Sequence, residues 1–266
     1  MNSIINIGLD AGSTTVKVAA LDSEGKLLFK DYRRHHANIS CVLAEIFTFI
    51  QEKIGDTKVR LTLTGSAGMG IAERCKLPFI QEVVSSCGYI VSEHPEIKTL
   101  VDIGGEDAKM IFFRKKKTPD IRMNGNCAGG TGSFIDQMAN ILDVDVSELG
   151  ALAENATTIY PIASRCGVFS KTDVQNLLSR NVSKEDIAAS VFHAVSMQVL
   201  TSLSRGYDIL PKIFLCGGPF HFITALRKAF QEELKASGSD IVISENSEII
   251  PAWDAAMNAC KLTETK

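Results

Sequence analysis

Hydrophobic and polar residues alternate along the chain with two different periods. Short apolar runs are typical of buried strands, and they lie near residues 4–9, 16–22, 26–33, 61–64, 99–103, 108–113 and 213–216. Apolar residues that recur every three or four positions predict helices around residues 40–53, 132–142, 171–179, 184–204 and 222–234. This order predicts an α/β protein. We expect a first lobe over residues 1–95 and a second over 96–266, with a terminal helix that can return to the first.

Composition narrows the class of protein. With 266 residues, 45% hydrophobic content and a net charge of −3, the chain can bury a large core, and nothing favours nucleic acid as a partner. The basic run at residues 114–118 follows a predicted strand and is typical of a solvated hairpin turn. No apolar stretch has the length of a signal peptide core or a membrane span. The odd number of cysteines, seven, indicates the reducing cytoplasm and not a disulfide framework.

One short pattern occurs twice. Residues 7–18 read IGLDAGSTTVKV and residues 101–111 read VDIGGEDAKMI, and each copy has Asp, Gly two residues later and Lys seven residues after the Asp. A hairpin with such a turn presents backbone N–H groups and hydroxyls to phosphate, while the carboxylate can hold hydrated Mg²⁺. Two ordinary tight hairpins are the alternative. The repeat favours binding of MgATP or MgADP, with these contacts: Asp10, Gly12, Ser13, Thr14, Lys17, Asp102, Gly104 and Gly105.

A third glycine motif follows a buried strand. Residues 213–219 read IFLCGGP, and a helix is predicted after them. A strand-to-helix turn without side chains lets a ribose or adenine lie against the backbone. We therefore predict that Gly217, Gly218 and Pro219 border the nucleotide.

Two cysteines stand beside glycine-rich turns. Cys127 lies in NGNCAGGTG and Cys166 in SRCGVF, and each precedes a predicted helix. We expect both at helix N-termini, where the helix dipole lowers a thiol pKa and makes the sulfur a better metal ligand or nucleophile. The other cysteines lie in apolar patterns and are predicted to be small buried hydrophobes, namely Cys41, Cys75, Cys87, Cys216 and Cys260.

These motifs resemble the actin, sugar-kinase and heat-shock-chaperone ATPase superfamily. Within it they are similar to the component A activators of 2-hydroxyacyl-CoA dehydratases and the ATPase subunits of benzoyl-CoA reductases. The matching segments are residues 8–14, 64–68, 102–107, 126–132, 164–169 and 217–219. The GED at residues 105–107 and the GGPFHF at 217–222 resemble the first ATPase unit of large CoA-substrate-specific activases. The resemblance implies a two-lobed fold with duplicated βββαβα-type lobes.

The resemblance also implies a function. Such proteins hydrolyse ATP to drive one electron from a 4Fe-4S cluster to a partner dehydratase or reductase in anaerobic metabolism, and ferredoxin or flavodoxin supplies the electron. Here Cys127 and Cys166 of two subunits would hold one cluster across a homodimer. Glu106 and Asp107 would orient the attacking water, and Gly129, Gly130 and Gly132 would adjoin the nucleotide. The partner can lie on the same longer chain.

Two alternatives remain open at the level of the sequence. A small-molecule kinase of the same superfamily would use Asp107 or another carboxylate to deprotonate a substrate hydroxyl. A nucleotide-binding scaffold would carry no cluster. We also expect Asp10 to lie at a surface, so that Asp10→Ala leaves the fold intact, and we expect Asp254 to cap the terminal helix.

Overall fold

The computed structural model describes residues 4–114, 117–124, 128–164, 166–235 and 240–263, with side chains described as far as residue 259. Two compact units divide the chain: Met1–Pro95 with Ile249–Lys266, and Glu96–Glu248. Each unit has its own sheet and its own hydrophobic core. No helix in the described ranges is long and apolar enough to cross a membrane.

The elements alternate in the order expected for an α/β protein. The strands are β1 (Ile5–Ala11), β2 (Thr15–Leu21), β3 (Leu27–Arg34), β4 (Val59–Thr64), β5 (Thr99–Ile103), β6 (Ala108–Phe112), β7 (Asp120–Met123), β8 (Ile213–Cys216) and β9 (Ile241–Ile243). The helices are α1 (Ile39–Ile54), α2 (Gly68–Cys75), α3 (Glu82–Glu93), α4 (Gly132–Leu142), α5 (Val146–Ala153), α6 (Gly167–Ser179), α7 (Lys184–Leu203), α8 (Gly218–Phe222), α9 (Thr224–Lys235) and α10 (Ile250–Thr263).

The sheet of the first unit has the order β3-β2-β1-β4. The strands β1, β2 and β3 pair antiparallel through consecutive hairpins, and β4 returns parallel to β1 after α1. On the outer side of β4, Leu63 forms an isolated parallel bridge with Phe79. The face of β1 that carries Gly8 lies against α10, and a Cβ at Gly8 would collide with the Ala252 carbonyl. The glycine therefore lets α10 approach the strand closely.

Helix α1 illustrates how local sequence sets an element of this unit. Asn38 caps its start by accepting a hydrogen bond from the Cys41 N–H at 3.4 Å. Val42, Ile46 and Ile50, spaced by four, form its buried face. The helix ends at Gly55, whose positive φ of 58° suits glycine and whose N–H binds the Gln51 carbonyl.

The sheet of the second unit repeats this plan. Its order is β7-β6-β5-β8-β9, with antiparallel pairs among β5, β6 and β7 and parallel pairs from β5 to β8 and from β8 to β9. The amphipathic α4 and the largely buried α7 contribute to its core, with Phe134, Met138 and Phe192 fully buried. The predicted duplication of lobe topology is therefore present in the strand order of both units.

The terminal helix differs from its prediction at one residue. Helix α10 begins at Ile250 and packs on β1, β4 and α3. Asp254 lies inside the helix, buried against Gly88 of α3, and accepts a hydrogen bond from Asn258 Nδ2 at 2.9 Å. The prediction that Asp254 caps the helix is wrong because the helix starts one turn earlier.

Candidate functional site

The first Asp of the repeated pattern forms a buried ion pair at the end of β1. The side chain of Asp10 is 0% exposed, and its Oδ2 lies 2.8 Å from Lys17 Nζ. The two residues are direct cross-strand partners in the β1–β2 hairpin. A buried charge without a counter-charge costs much more folding free energy than an exposed one. Replacing Asp10 by Ala would leave the Lys17 ammonium in that state. The prediction that Asp10 lies at a surface is therefore wrong, and we expect Asp10→Ala to lower the stability of the fold.

Lys17 keeps its positive charge at this site. Burial alone lowers the pKa of a lysine, but the attraction of Asp10, followed by that of Glu82 and Tyr32, outweighs burial and raises the pKa of Lys17. The turn between Asp10 and Lys17 is closed by a hydrogen bond from the Gly12 N–H to the Thr15 carbonyl at 2.9 Å. Ser13 at its tip is exposed. An exposed turn beside a fixed ammonium suits a phosphate group.

The second copy of the pattern has the same geometry. Asp102 and Lys109 are cross-strand partners in the β5–β6 hairpin, with Oδ2 and Nζ 3.8 Å apart. Lys109 is only 2% exposed and also lies 3.0 Å from Asp107 Oδ2. Gly104 and Gly105 form the turn, in which the Gly104 N–H binds the Asp107 carbonyl at 2.9 Å. The seven-residue spacing in the sequence thus corresponds to the same facing pair in both units.

The two predicted catalytic carboxylates have different surroundings. Glu106 at the tip of the second turn is exposed. The Asp107 carboxylate turns back toward Lys109, and a Cβ placed at Gly104 would lie 2.5 Å from Asp107 Oδ1. Glu106 is therefore accessible to solvent, whereas Asp107 contributes to the internal structure of the turn.

A glycine beside each Asp completes the equivalence of the two hairpins. Gly65 follows β4 and Gly217 follows β8, and both have positive φ, 89° and 103°. A Cβ at Gly65 would collide with Asp10 Oδ1, and one at Gly217 would lie 2.8 Å from Asp102 Oδ1. Both glycines let a parallel neighbouring strand end directly against the carboxylate. The sequence predicted Gly217 but assigned no role to Gly65.

The glycine-rich segment that follows residue 127 is bonded to the second hairpin. The Gly132 N–H donates to the Gly104 carbonyl at 2.9 Å, and the Ser133 N–H donates to the Gly105 carbonyl at 2.7 Å. Thr131 caps α4 by accepting a hydrogen bond from the Phe134 N–H. Gly129 and Gly130 are buried, the latter with φ 82°. The start of α4 therefore holds the turn of the second hairpin in place through these two hydrogen bonds.

The turn after β8 lies beside the start of α4. Helix α8 begins at Gly218, with Pro219 in its first turn. A Cβ at Gly132 would lie 3.4 Å from Pro219 Cγ and 3.3 Å from Gly105 Cα. The predicted nucleotide glycines of the second unit, Gly104, Gly105, Gly132, Gly217 and Gly218, and Pro219 therefore belong to adjoining turns of one sheet edge.

The structure describes one of the two predicted cluster ligands. Cys166 is half-buried, forms no disulfide and occupies the N-cap position of α6. Cys127 lies outside the described residues. Helix α4 begins at Gly132, as predicted, with Thr131 as its cap, and the predicted position of Cys127 is not tested by the described residues. Within the described residues no three His, Cys, Asp or Glu side chains gather as a metal site.

The segments that carry the two cysteines meet in this unit. A Cβ at Gly167, the residue after Cys166, would lie 3.8 Å from the Gly129 backbone nitrogen and 3.6 Å from the Phe134 ring. Gly129 is two residues from Cys127 in sequence. The start of α6 therefore packs on the same glycine segment that is bonded to the second hairpin.

Comparison with known proteins shows the family of this chain. The sequence profile of the BadF/BadG/BcrA/BcrD ATPase family matches residues 7–259. The chain belongs to this ATPase family. A relative, the (R)-2-hydroxyglutaryl-CoA dehydratase activating ATPase of Acidaminococcus fermentans, is 30% identical over 97% of this chain and 98% of its own length.

Solved structures agree with this membership of the BadF/BadG/BcrA/BcrD ATPase family. The crystal structure of the Acidaminococcus fermentans dehydratase component A superposes with a TM-score of 0.86, at 29% identity over 99% of this chain and 100% of that chain. The activator of 2-hydroxyisocaproyl-CoA dehydratase from Clostridium difficile, with bound ADPNP, gives 0.82 at 28% identity and 98% coverage of both chains. A glucokinase of the ROK family from Streptomyces griseus, at 11% identity, gives 0.57 over 97% of this chain and 99% of that chain. The predicted ATPase fold is confirmed.

The other cysteines of this family member fall into two groups. Cys216 is buried. Burial, and to a smaller extent the charge of Asp254, raises the pKa of Cys87 to about 11, so this thiol stays protonated at neutral pH. Cys41 and Cys75 are exposed, so the prediction that both are buried is wrong. Cys41 lies on the solvent face of the first turn of α1, and Cys75 ends α2. The side chain of Cys260 lies outside the described part.

Side chains of two helices fix the irregular segment that leads to Cys166. Asp186 Oδ1 of α7 accepts hydrogen bonds from the Thr157 N–H at 2.7 Å and the Thr158 N–H at 3.0 Å. Asp173 Oδ2 of α6 accepts from the Ala163 N–H at 2.8 Å. Because residues 156–163 form no ladder with a strand, these carboxylates replace the missing backbone partners.

We expect Asp186→Asn to destabilise the protein at neutral pH but not in acid. The backbone hydrogen bonds of Thr157 and Thr158 lower the pKa of Asp186. Because the pKa of Asp186 is lower in the folded protein than in the unfolded protein, where it is about 3.9, the ionised carboxylate stabilises the fold above that pH. This stabilisation is lost as the pH falls through the pKa of the folded state. Urea unfolding at pH 7 and near pH 3 measures this difference. Asp208→Asn, at an exposed position of the same unit, is the control, and equal losses at both pH values would contradict the assignment.

Proposed function

We propose that the chain is an ATP-dependent reductive activator. In this function ATP hydrolysis drives single-electron transfer from a 4Fe-4S cluster to a partner acyl-CoA dehydratase or reductase. Its relatives carry the names of dehydratase-activating ATPases, and the site of the second unit supports the same role. One observation carries the proposal: the segment 128–133 is bonded to the second hairpin and packs on the start of the Cys166 helix.

Each unit has one hairpin whose turn is suited to binding a phosphate group. The N–H groups of residues 13, 14 and 105 and the hydroxyls of Ser13 and Thr14 bind phosphate oxygens, and Lys17 adds a fixed positive charge. Asp10 and Asp102 each fit as a Mg²⁺ ligand because both are carboxylates at strand ends with a glycine, Gly65 or Gly217, and no Cβ beside Oδ1. The metal neutralises charge on the phosphates when it is bound.

The second hairpin also supplies the group that orients water. Glu106 is exposed at the tip of this turn and carries no described contact to another charged group. Asp107 is held by Lys109 and maintains the turn that presents Glu106. We assign the orientation of the attacking water to Glu106 and a supporting role to Asp107.

Cys166 fits a shared iron–sulfur site. An iron–sulfur cluster needs four thiolates and supplies a single low-potential electron. A chain that offers Cys127 and Cys166 completes this set through a two-fold axis. The two residues after Gly167 are both strongly exposed apolar side chains, Val168 at 70% and Phe169 at 66%. Apolar surface beside the ligand supports burial of this helix end in a homodimer.

The names of the relatives support a dehydratase or reductase as partner, and the electron donor is what the resemblance implies. A dehydratase or reductase for acyl-CoA accepts the electron, and ferredoxin or flavodoxin donates it. The reducing cytoplasm suits this role, since the described cysteines are free thiols.

Phosphate chemistry and redox chemistry are coupled through the segment 128–133. A nucleotide shifts a conformational equilibrium only through contacts that differ between states. A change of contacts at Gly104 or Gly105 acts directly on Gly132 and Ser133, and through the same segment on the packing of Gly167. The proposal therefore predicts that the nucleotide alters the surroundings of Cys166.

Reduction potential and iron chelation test this coupling. On protein with its full iron content, we expect both the potential and the rate of chelation to differ between MgADP and a non-hydrolysable MgATP analogue, because hydrogen bonding and exposure set both quantities. The same measurements on Cys41→Ala protein serve as the control. Identical potentials and chelation rates in the two nucleotide states would remove the coupling.

A further inference from the structure

The two phosphate hairpins differ in what binds their carbonyl groups. In the second unit, the Gly104 and Gly105 carbonyls accept hydrogen bonds from the backbone of Gly132 and Ser133. In the first unit, a side chain takes this place: His35 Nε2 lies 3.2 Å from the Gly12 carbonyl oxygen. The backbone N–H of His35 also donates to the Thr14 carbonyl at 3.1 Å. His35 therefore contacts both ends of the first turn.

This contact orients the peptide that follows Gly12. A carbonyl oxygen only accepts hydrogen bonds, so His35 Nε2 is the protonated donor. In a planar trans peptide the carbonyl and the next N–H point in opposite directions. A carbonyl of Gly12 held toward His35 thus directs the Ser13 N–H away from His35, at the exposed tip of the turn. An unrestrained peptide can turn over and present the carbonyl, which repels phosphate.

The surroundings of His35 hold the imidazole in place. His35 is only 8% exposed at the end of β3, whereas His36 and Ala37 after it are exposed. Both of these residues adopt left-handed backbone with φ of 43° and 63°, a conformation that costs folding free energy for residues other than glycine. The strained turn lets the Asn38 N–H bind the His35 carbonyl at 2.6 Å before Asn38 caps α1.

We propose that His35 is a positioning residue for ATP hydrolysis. Its Nε2–H holds the Gly12 carbonyl so that the Ser13 N–H faces the nucleotide phosphate. In the second unit the backbone at the start of α4 binds the carbonyl groups of the turn instead of a histidine. The role depends on ATP binding alone and is independent of the cluster, the dimer and the partner enzyme.

Three substitutions of His35 separate the donor from the bulk of the side chain. Leu removes the donor, Gln carries an amide N–H at about the reach of Nε2, and Asn carries one that is a bond shorter. We expect His35→Leu to lower kcat/KM for MgATP about fivefold to tenfold, mainly through KM, since one net hydrogen bond is of that size. His35→Gln should stay within about threefold of the wild type, and His35→Asn should resemble Leu. His193→Leu, at a partly exposed position of the other unit, is the control.

Hydrogen exchange supplies a readout that does not depend on turnover. In nucleotide-free protein we expect the amide of Gly12, which donates to the Thr15 carbonyl across the turn, to exchange faster in His35→Leu than in His35→Gln, because the turn opens more often without the contact. If the Leu variant does not fold, kcat/KM is compared between the Gln and Asn variants instead. Equal kcat/KM in Gln and Asn variants, or a wild-type kcat/KM in folded His35→Leu, would overturn the proposal. Iron content measured in parallel shows whether the cluster proposal fails separately.

Discussion

Asp10→Asn is expected to lower MgATP hydrolysis by about 100-fold or more while the protein remains folded. The loss follows from the position of the carboxylate, which is buried at the end of β1 beside Gly65 and facing Lys17. An amide keeps the size and a hydrogen-bond acceptor for Lys17 but loses the charge that attracts Mg²⁺. Loss of a metal contact that stabilises the transferring phosphate corresponds to several kcal/mol, and each 1.36 kcal/mol is a factor of ten in rate.

The comparison requires a control of the same chemistry. Asp56→Asn changes an exposed carboxylate after α1 and should hydrolyse ATP at the wild-type rate. Asp10→Ala is less informative, because it leaves the buried Lys17 ammonium unpaired and lowers stability as well as activity. Steady-state phosphate release, with circular dichroism to verify folding, measures the effect. A folded Asp10→Asn protein that hydrolyses ATP as fast as Asp56→Asn would refute the metal role of Asp10.

Cys166→Ala is expected to abolish the iron–sulfur cluster and to leave ATP hydrolysis within about threefold of the wild type. A cluster held by two thiolates from each subunit loses two of four ligands when both subunits carry the substitution. The phosphate hairpins are untouched, since Cys166 lies in the N-cap of α6 and its carbonyl, which Ala retains, accepts the Ser170 N–H at 3.0 Å. Iron and acid-labile sulfide, with the visible spectrum, measure the loss.

The exposed cysteine of α1 provides the matched control. Cys41→Ala removes a solvent-accessible thiol of the first unit and should keep the iron content of the wild type. A Cys166→Ala protein that retains iron and sulfide would exclude Cys166 as a ligand. Loss of iron from both variants would indicate general instability instead of loss of a ligand.

The central pairing of the site was predictable because it is local in sequence. In an antiparallel hairpin, the residue that faces Asp10 is fixed by the length of the turn, and the same spacing places Lys109 opposite Asp102. The repeated spacing therefore predicted both hairpins. The α/β class also followed from the order of elements, whereas the duplicated topology of the lobes was implied by the resemblance and the edge strands β7 and β9 were not predicted.

Residues that act through the fold could not be predicted in this way. Gly65 meets Asp10 only because β4 lies parallel to β1, and His35 meets Gly12 only because β3 ends beside the first turn. Neither pairing has a fixed spacing in sequence. The start of α4 at Gly132, by contrast, was predicted from the periodicity of its apolar residues and agrees with the structure.

Iron and acid-labile sulfide in the wild-type chain, purified without oxygen, test the central claim most directly. The proposal predicts a brown protein with about two iron and two sulfide ions per chain, corresponding to one 4Fe-4S cluster for two chains. The same preparation should hydrolyse MgATP. A colourless, fully folded protein that transfers phosphate to a small-molecule hydroxyl, or that only binds the nucleotide, would contradict an activator function.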